Sequence, residues 1–275
     1  MKSLLVLLLL AVVAPAEAQT CCSAREISMY RDPAFIAEHA APLPLAYEST
    51  GSMITFPTTG ATANAYYVRA KHRSNKVLLV FHEWWGLNDY IRQESDRLAS
   101  ELGNVSVLAV DLFDGNVAST PDAASKYASQ ASPERMHAII QGALDYVNTL
   151  NASDTTLSIG TLGWCFGGGW SLQAAMQAGV MCNACVMYYG MPDTSAASLA
   201  KLKAPVLGLF GSKDKYITPA IVNNFSQVAT AAGKSVEVKE YDADHAFANP
   251  SNPNANLKAA ADANKRALAF LRAHL

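Results

Sequence analysis

The 275-residue chain carries 21 Lys and Arg against 23 Asp and Glu, a net charge of −2, with 16% charged and 51% hydrophobic residues. Scattered charge near neutrality excludes the basic face that nucleic acid requires, and the apolar content is too high for a disordered chain. A chain of this size can form one α/β domain with a large core, and no repeat or low-complexity linker divides it.

The chain opens with Lys2, the apolar run Leu4–Val13 and the small-residue pattern Ala16-Glu17-Ala18. Residues 1–18 therefore read as a signal peptide cleaved before Gln19, which predicts an exported protein, periplasmic or secreted. The run is shorter than the ~20 residues that span a bilayer, so no stable membrane association is expected after cleavage. An uncleaved membrane anchor is the alternative. Residues 19–50 form an N-terminal arm, within which Thr20–Glu48 has little periodicity and is expected to wrap the surface. Residues 51–275 read as a single domain.

Within that domain, strand-like runs fall at Ser52–Phe56, Ala65–Arg69, Val77–Phe81, Val105–Val110, Leu157–Leu162, Ala184–Tyr189, Val206–Phe210 and Val236–Tyr241. They alternate with helical stretches near Tyr90–Leu102, Pro133–Leu150, Phe166–Ala178, Pro219–Ala232 and Asn256–His274. The first two strands form a hairpin-like start. The later alternation predicts an α/β fold, a mostly parallel central sheet of about eight strands with helices on both faces.

Chemistry enters at Gly163-Trp164-Cys165-Phe166-Gly167, a GxSxG-type nucleophile elbow with cysteine at its centre, directly after the run Leu157–Leu162. A nucleophile on a sharp strand-to-helix turn sits at strained backbone angles and needs small neighbours, here Gly163 and Gly167. The following helix points free N–H groups and its dipole at Cys165, which favours thiolate over thiol. After the strand Val206–Phe210, the turn Gly211-Ser212-Lys213-Asp214 ends in a carboxylate. After the last strand, Asp242-Ala243-Asp244-His245 brings a histidine. The order Cys165, Asp214, His245 is that of the α/β-hydrolases, nucleophile then acid then base. His39 and His72 precede the core, His82 ends an early strand, His137 lies in a helical pattern and His274 is terminal, so His245 alone completes the order. Asp242 and Asp244 are too close in sequence to reach the far ring nitrogen easily, which leaves Asp214 as the orienting acid.

These residues, with Phe81-His82-Glu83-Trp84-Trp85-Gly86-Leu87-Asn88 after an early strand, resemble the dienelactone hydrolases, α/β-hydrolases with a Cys-His-Asp triad. The likeness runs from about Gly51 to the C-terminus. It implies that Glu83 faces the resting nucleophile and helps convert thiol to thiolate, and that the N–H groups of Trp84 and Phe166 form the oxyanion hole. It also implies a small ester or lactone as substrate. The aromatic residues Trp84, Trp85, Trp164 and Phe247 beside these positions predict an apolar pocket. Where dienelactone hydrolases acting on carboxylated lactones place an arginine after the histidine loop, this chain has Asn249; Lys213, Lys215 or another arginine could replace that cation. His82 beside Glu83 lacks HExxH spacing, no His and Cys cluster has zinc spacing, and no glycine-rich phosphate motif occurs. No metal or other cofactor is expected.

Export alters the reading of the remaining cysteines, Cys21, Cys22, Cys182 and Cys185, an even number in an oxidising compartment with three connectivities open. Adjacent Cys21 and Cys22 are not expected to bridge each other. Each would then pair with Cys182 or Cys185, tying the arm to the end of the elbow helix. Two further functional readings remain: a non-catalytic binding protein of the same fold, and a thiol oxidoreductase using Cys182-Asn183-Ala184-Cys185.

Overall fold

The computed structural model describes residues 24–150 and 156–275. The expected signal peptide, residues 1–18, and Cys21 and Cys22 lie outside the described residues.

Among the described residues eight strands form one sheet in the order β1-β2-β4-β3-β5-β6-β7-β8. The strands are β1 Ser52–Phe56, β2 Ala63–Val68, β3 Lys76–Phe81, β4 Ser106–Val110, β5 Ser158–Trp164, β6 Cys182–Tyr188, β7 Val206–Gly211 and β8 Val236–Tyr241. The pairs β1/β2 and β2/β4 are antiparallel, and every other neighbouring pair is parallel. The sheet is therefore mixed and mostly parallel, and the hairpin-like start is real. Its central strands read as unbroken apolar runs because helices bury both faces. In β4 and β5 every residue is buried, whereas the edge strand β8 alternates.

The five expected helices appear as α3 Asp89–Leu102, α5 Pro133–Leu150, α6 Phe166–Ala178, α8 Pro219–Ala231 and α9 Leu257–His274. They cover the two faces of the sheet, α3 packing on α9 and α5 on α6. Among the described residues four more α-helices were not expected: α1 Ala24–Arg31, α2 Pro33–Glu38, α4 Pro121–Gln130 and α7 Ala196–Leu199. No helix among the described residues is long and apolar enough to cross a membrane.

The arm departs most from expectation. Where it was expected to wrap the surface without periodicity, residues 24–38 fold into α1 and α2, which pack on each other and on α4, while residues 40–49 run without helix or strand. Asp32 caps α2, its carboxylate accepting the Ala34 N–H at 2.8 Å, and Pro33 starts the helix with its φ already set. Tyr30 and Phe35 are fully buried, so the arm contributes to the core.

Candidate active site

In a parallel α/β sheet, ligands bind beyond the carboxyl ends of the strands, because the loops there converge while crossover helices occupy the faces. The loops after β3, β5, β7 and β8 bring Glu83, Cys165, Asp214 and His245 to that end of the sheet.

Cys165 stands between the last residue of β5 and the first of α6 at φ 51 and ψ −116. A non-glycine residue held there carries strain of about 1–3 kcal/mol, tolerated only where its surroundings fix it. The surroundings do so: its N–H donates to the Tyr188 carbonyl at 3.0 Å, and its own carbonyl accepts from Gly168 N–H at 2.9 Å. A Cβ on Gly163 would strike the Gly167 carbonyl, and one on Gly167 would strike the Phe81 and His82 carbonyls. Glycine is thus required for the turn and for seating it against the loop after β3.

His245 Nε2 lies 3.2 Å from Cys165 Sγ, and its Nδ1 lies 2.7 Å from Asp214 Oδ2. The other Asp214 oxygen accepts N–H groups of Tyr216 at 2.8 Å and Ile217 at 2.9 Å, which orients the carboxylate. Burial alone would discharge both groups, yet each holds the other charged. Burial disfavours the imidazolium, but the Asp214 carboxylate and the sulfur raise His245 to about 10. Burial likewise raises Asp214, but the charge and hydrogen bond of His245 outweigh it and leave its carboxyl below the ordinary value. Asp242 is exposed and pairs with Lys213 at 2.9 Å, and Asp244 is exposed, so neither takes the place of Asp214.

Glu83 is fully buried in the tight turn after β3. Its Oε2 accepts the Trp85 N–H at 2.6 Å, and its Oε1 accepts from Ser251 Oγ at 2.6 Å and Asn88 Nδ2 at 3.4 Å. Burial pushes its carboxyl up to about 8, opposed by these three donors. In this arrangement Cys165 is paired with His245 while both Glu83 oxygens engage other groups. Asn88 and Ser251 were not singled out from sequence, because Asn in a helix cap and Ser in a polar loop are ordinary there. Asn88 also caps α3 through its Oδ1 and the Ile91 N–H.

The chain's Asn249 is buried, its Oδ1 accepting the Ser251 N–H at 2.8 Å. It braces the loop that holds Ser251 against Glu83. The two lysines that could replace the cation point outward, Lys213 to Asp242 and Lys215 to Glu38 at 2.7 Å. His82 has a structural place, with Nδ1–H donating to the Glu83 carbonyl at 2.6 Å and Nε2 accepting the Leu112 N–H at 3.0 Å.

The arm contributes His39, which the triad order set aside, and Phe35, which no sequence motif marked. Phe35 packs its ring 5.5 Å from His245, 5.2 Å from Trp84 and 4.8 Å from Tyr216. His39 lies 5.6 Å from the His245 ring and 4.8 Å from Trp84. Tyr189, held at φ 35 after β6, completes the aromatic wall at 5.2 Å from His245. Of the expected pocket aromatics, Trp85 packs on Trp84, Trp164 on Tyr188, and Phe247 on Tyr189 and Tyr241. They back the wall that Phe35, His39, Tyr189 and Tyr216 form around the imidazole. The site is closed: the side chains of His245 and Asp214 retain 4% and 0% exposure. A cavity of about 750 Å³, lined by Tyr67, His72, Val77, Ser106 and Leu157, lies at the opposite strand ends. None of its lining residues belongs to the site around Cys165.

The disulfide expectation is corrected at Cys182 and Cys185, both of which are buried free thiols. Cys185 lies fully buried in the middle of the sheet under α6, its sulfur 3.5 Å from Ser171 Oγ. Burial raises both thiols above the ordinary range, with the neighbouring Cys185 adding to the effect at Cys182. Thiols held protonated on a strand do not form the activated pair that a redox CxxC requires.

An eight-stranded, mostly parallel sheet with a nucleophile elbow after β5, an acid after β7 and a histidine after β8 defines an α/β-hydrolase. Residues 63–275 match the dienelactone hydrolase family. The chain belongs to that family and is an ester or lactone hydrolase. It is 28% identical to an Aquifex aeolicus protein provisionally named carboxymethylenebutenolidase, over 82% of this chain and 99% of that one. A 31% identical segment covers 42% of this chain and 47% of the carboxymethylenebutenolidase of a Pseudomonas species. Among solved structures, a protein from Klebsiella pneumoniae provisionally named dienelactone hydrolase superposes with TM-score 0.70 at 24% identity, covering 82% of this chain and 99% of that one. A dienelactone hydrolase-like promiscuous phosphotriesterase from metagenomic libraries gives 0.69 at 19%, over 82% and 99%.

Proposed function

We propose that the protein cleaves small, uncharged esters or lactones through a thioester on Cys165. The observation that carries this reading is the line of contacts from Cys165 Sγ through His245 to Asp214, at 3.2 Å and 2.7 Å, on a strained elbow at a helix N-terminus.

In the proposed reaction the Cys165 thiolate attacks the substrate carbonyl, and the carbonyl π electrons move onto its oxygen. Phe166 is the first residue of α6, so its N–H is among those without an intrahelical acceptor, and with the Trp84 N–H it would stabilise the oxyanion. Collapse expels the alkoxide, protonated by the His245 imidazolium. The neutral imidazole then takes a proton from water, which attacks the thioester and releases the acid while sulfur leaves as thiolate. Glu83 would accept the Cys165 proton on activation once its own buried carboxyl, raised to about 8, has ionised, so this role belongs to the ionised fraction of the enzyme. A thiolate leaves as readily as it attacks, which favours esters and lactones over amides. Neutral Asn249 in place of a cation, with Lys213 and Lys215 turned outward into ion pairs with Asp242 and Glu38, supports an uncharged substrate. The N-terminal pattern supports export, which N-terminal sequencing of the purified protein would test by finding or not finding Gln19 at the start.

The mechanism is tested with p-nitrophenyl esters and lactones on wild type, Cys165→Ser and Cys165→Ala, with mass spectrometry after a rapid quench. A thioester mass on Cys165 in wild type, with hydrolysis lost in Cys165→Ala, is expected. Undiminished hydrolysis by Cys165→Ala would overturn the assignment.

A further inference from the structure

The segment 24–50 precedes the part of the chain that matches the family, at residues 63–275, yet it places an imidazole inside the site. His39 follows the last residue of α2 and keeps only 7% of its surface. Its Nδ1 lies 2.6 Å from the Phe35 carbonyl. A carbonyl can only accept, so Nδ1 carries the proton, and a neutral ring then presents a bare lone pair at Nε2. Burial first, then the neighbouring His245 charge, hold the ring neutral by lowering it to about 4. Nε2 is fully enclosed and has no hydrogen-bond partner. Against the His39 ring, with ring centres 4.8 Å apart, lies Trp84, whose Nε1–H is likewise enclosed without a partner.

An orphaned buried acceptor and an orphaned buried donor, each costing on the order of 1–3 kcal/mol while unmet, sit on two adjoining rings beside the proposed base. A group that satisfies both must accept from indole and donate to imidazole. A hydroxyl does both with one atom. A carboxylate could only accept and would meet the His39 lone pair without a proton between them, and an ammonium could only donate.

We propose that His39, delivered by the N-terminal arm, is a specificity-determining residue that acts with Trp84 to hold a hydroxyl of an uncharged ester or lactone. The proposal rests on the cysteine-hydrolase reading and narrows its substrate to hydroxyl-bearing esters and lactones. It gives the arm a part in the site beyond packing.

The test compares kcat/KM of the full chain on two matched pairs: p-nitrophenyl 3-hydroxybutyrate against p-nitrophenyl butyrate, and 2-hydroxyethyl butyrate against propyl butyrate. One pair carries the hydroxyl on the acyl side, the other on the leaving group. Wild type, His39→Phe and His39→Gln are assayed. Because each ratio is taken within one preparation, a partly misfolded variant does not alter it. Wild type is expected to prefer the hydroxylated member of at least one pair by about tenfold or more. His39→Phe should reduce that ratio to near one, and His39→Gln, which keeps an acceptor, should restore part of it. Equal rates within both pairs for wild type, or an unchanged ratio in His39→Phe, would overturn the role of His39 while leaving the hydrolase reading intact. Hydrolysis of none of the four esters by wild type, with lactones also left intact, would overturn both.

Discussion

Three side chains in this site have ionisation set by burial working against their neighbours, and the signs differ. His245 is raised to about 10. Its contribution to stability is therefore complete below about 6.5, its ordinary value, and is lost as pH rises through 10. Asp214 is lowered, so its contribution is present above the ordinary carboxylate value and is lost as pH falls through its folded value. The pair supports the fold across the neutral range and fails at either end. Asp214→Asn should keep a hydrogen-bonding group beside Nδ1 but remove the charge that stabilises the imidazolium. The expected outcome is a fall in kcat of roughly a hundred- to ten-thousandfold, with the alkaline limb of the pH-rate profile moved to lower pH; an unmoved limb would contradict the role given to Asp214. Glu83 has the opposite sign to Asp214. Its folded value of about 8 exceeds the ordinary 4.5, so the folded protein holds a proton that the unfolded chain releases, and stability falls as pH rises from 4.5 to 8. Glu83→Gln, which keeps the contact with Ser251, should raise the melting temperature more at pH 8.5 than at pH 5, by an amount corresponding to a few kcal/mol. Calorimetry at the two pH values checks it, and equal shifts would show that the buried carboxyl bears no ionisation cost.

At the level of elements, α2 is short and alone could not stand in water, since helices below about 12 residues are marginal without tertiary packing. Its anchor is Phe35, wholly buried against Tyr30, His39, Trp84, Tyr216 and His245. Phe35→Ala removes that ring, a change costing about 3–5 kcal/mol in a packed core. More than α2 can supply alone, this loss should release the arm before the sheet unfolds. Hydrogen exchange would then show amides 33–39 losing protection while β3 to β7 keep theirs; retained protection in the arm would mean that α1 and α4 suffice to hold it. The same shortness explains why α1 and α2 escape a periodicity reading: one or two turns give too few repeats to separate a stripe from chance. Asp32-Pro33 was the available signal, a cap followed by a preset φ. The strands and longer helices were legible because buried parallel strands give continuous apolar runs and α6 follows directly from its elbow. Cys165, Asp214 and His245 were legible because their order follows strand order. His39, Asn88 and Ser251 were not, since their contacts span long separations and depend on how loops pack, which periodicity does not encode.

At the scale of the whole molecule, the sheet separates reactive from protected sulfur. Cys165 is lifted out of the sheet at the carboxyl end of β5 onto a helix N-terminus beside an imidazole, whereas Cys182 and Cys185 lie in β6, inside the layer that helices cover. The same strand packing that gives the core its stability raises the two β6 thiols, and a protonated thiol is a poor nucleophile. Alkylation should therefore be ordered. In native protein a small haloacetamide should modify Cys165 first, slowed by its 3% exposure but favoured by His245, and its modification should track the loss of hydrolysis. Cys182 and Cys185 should react only on denaturation, at the rate of global unfolding, because reaching Cys185 requires α6 to leave the sheet. Peptide mapping by mass spectrometry without reductant reads all three sites at once. Native labelling at Cys182 or Cys185 ahead of Cys165 would contradict the burial of β6, and a peptide linking either to Cys21 or Cys22 would contradict their free state and restore the disulfide expectation.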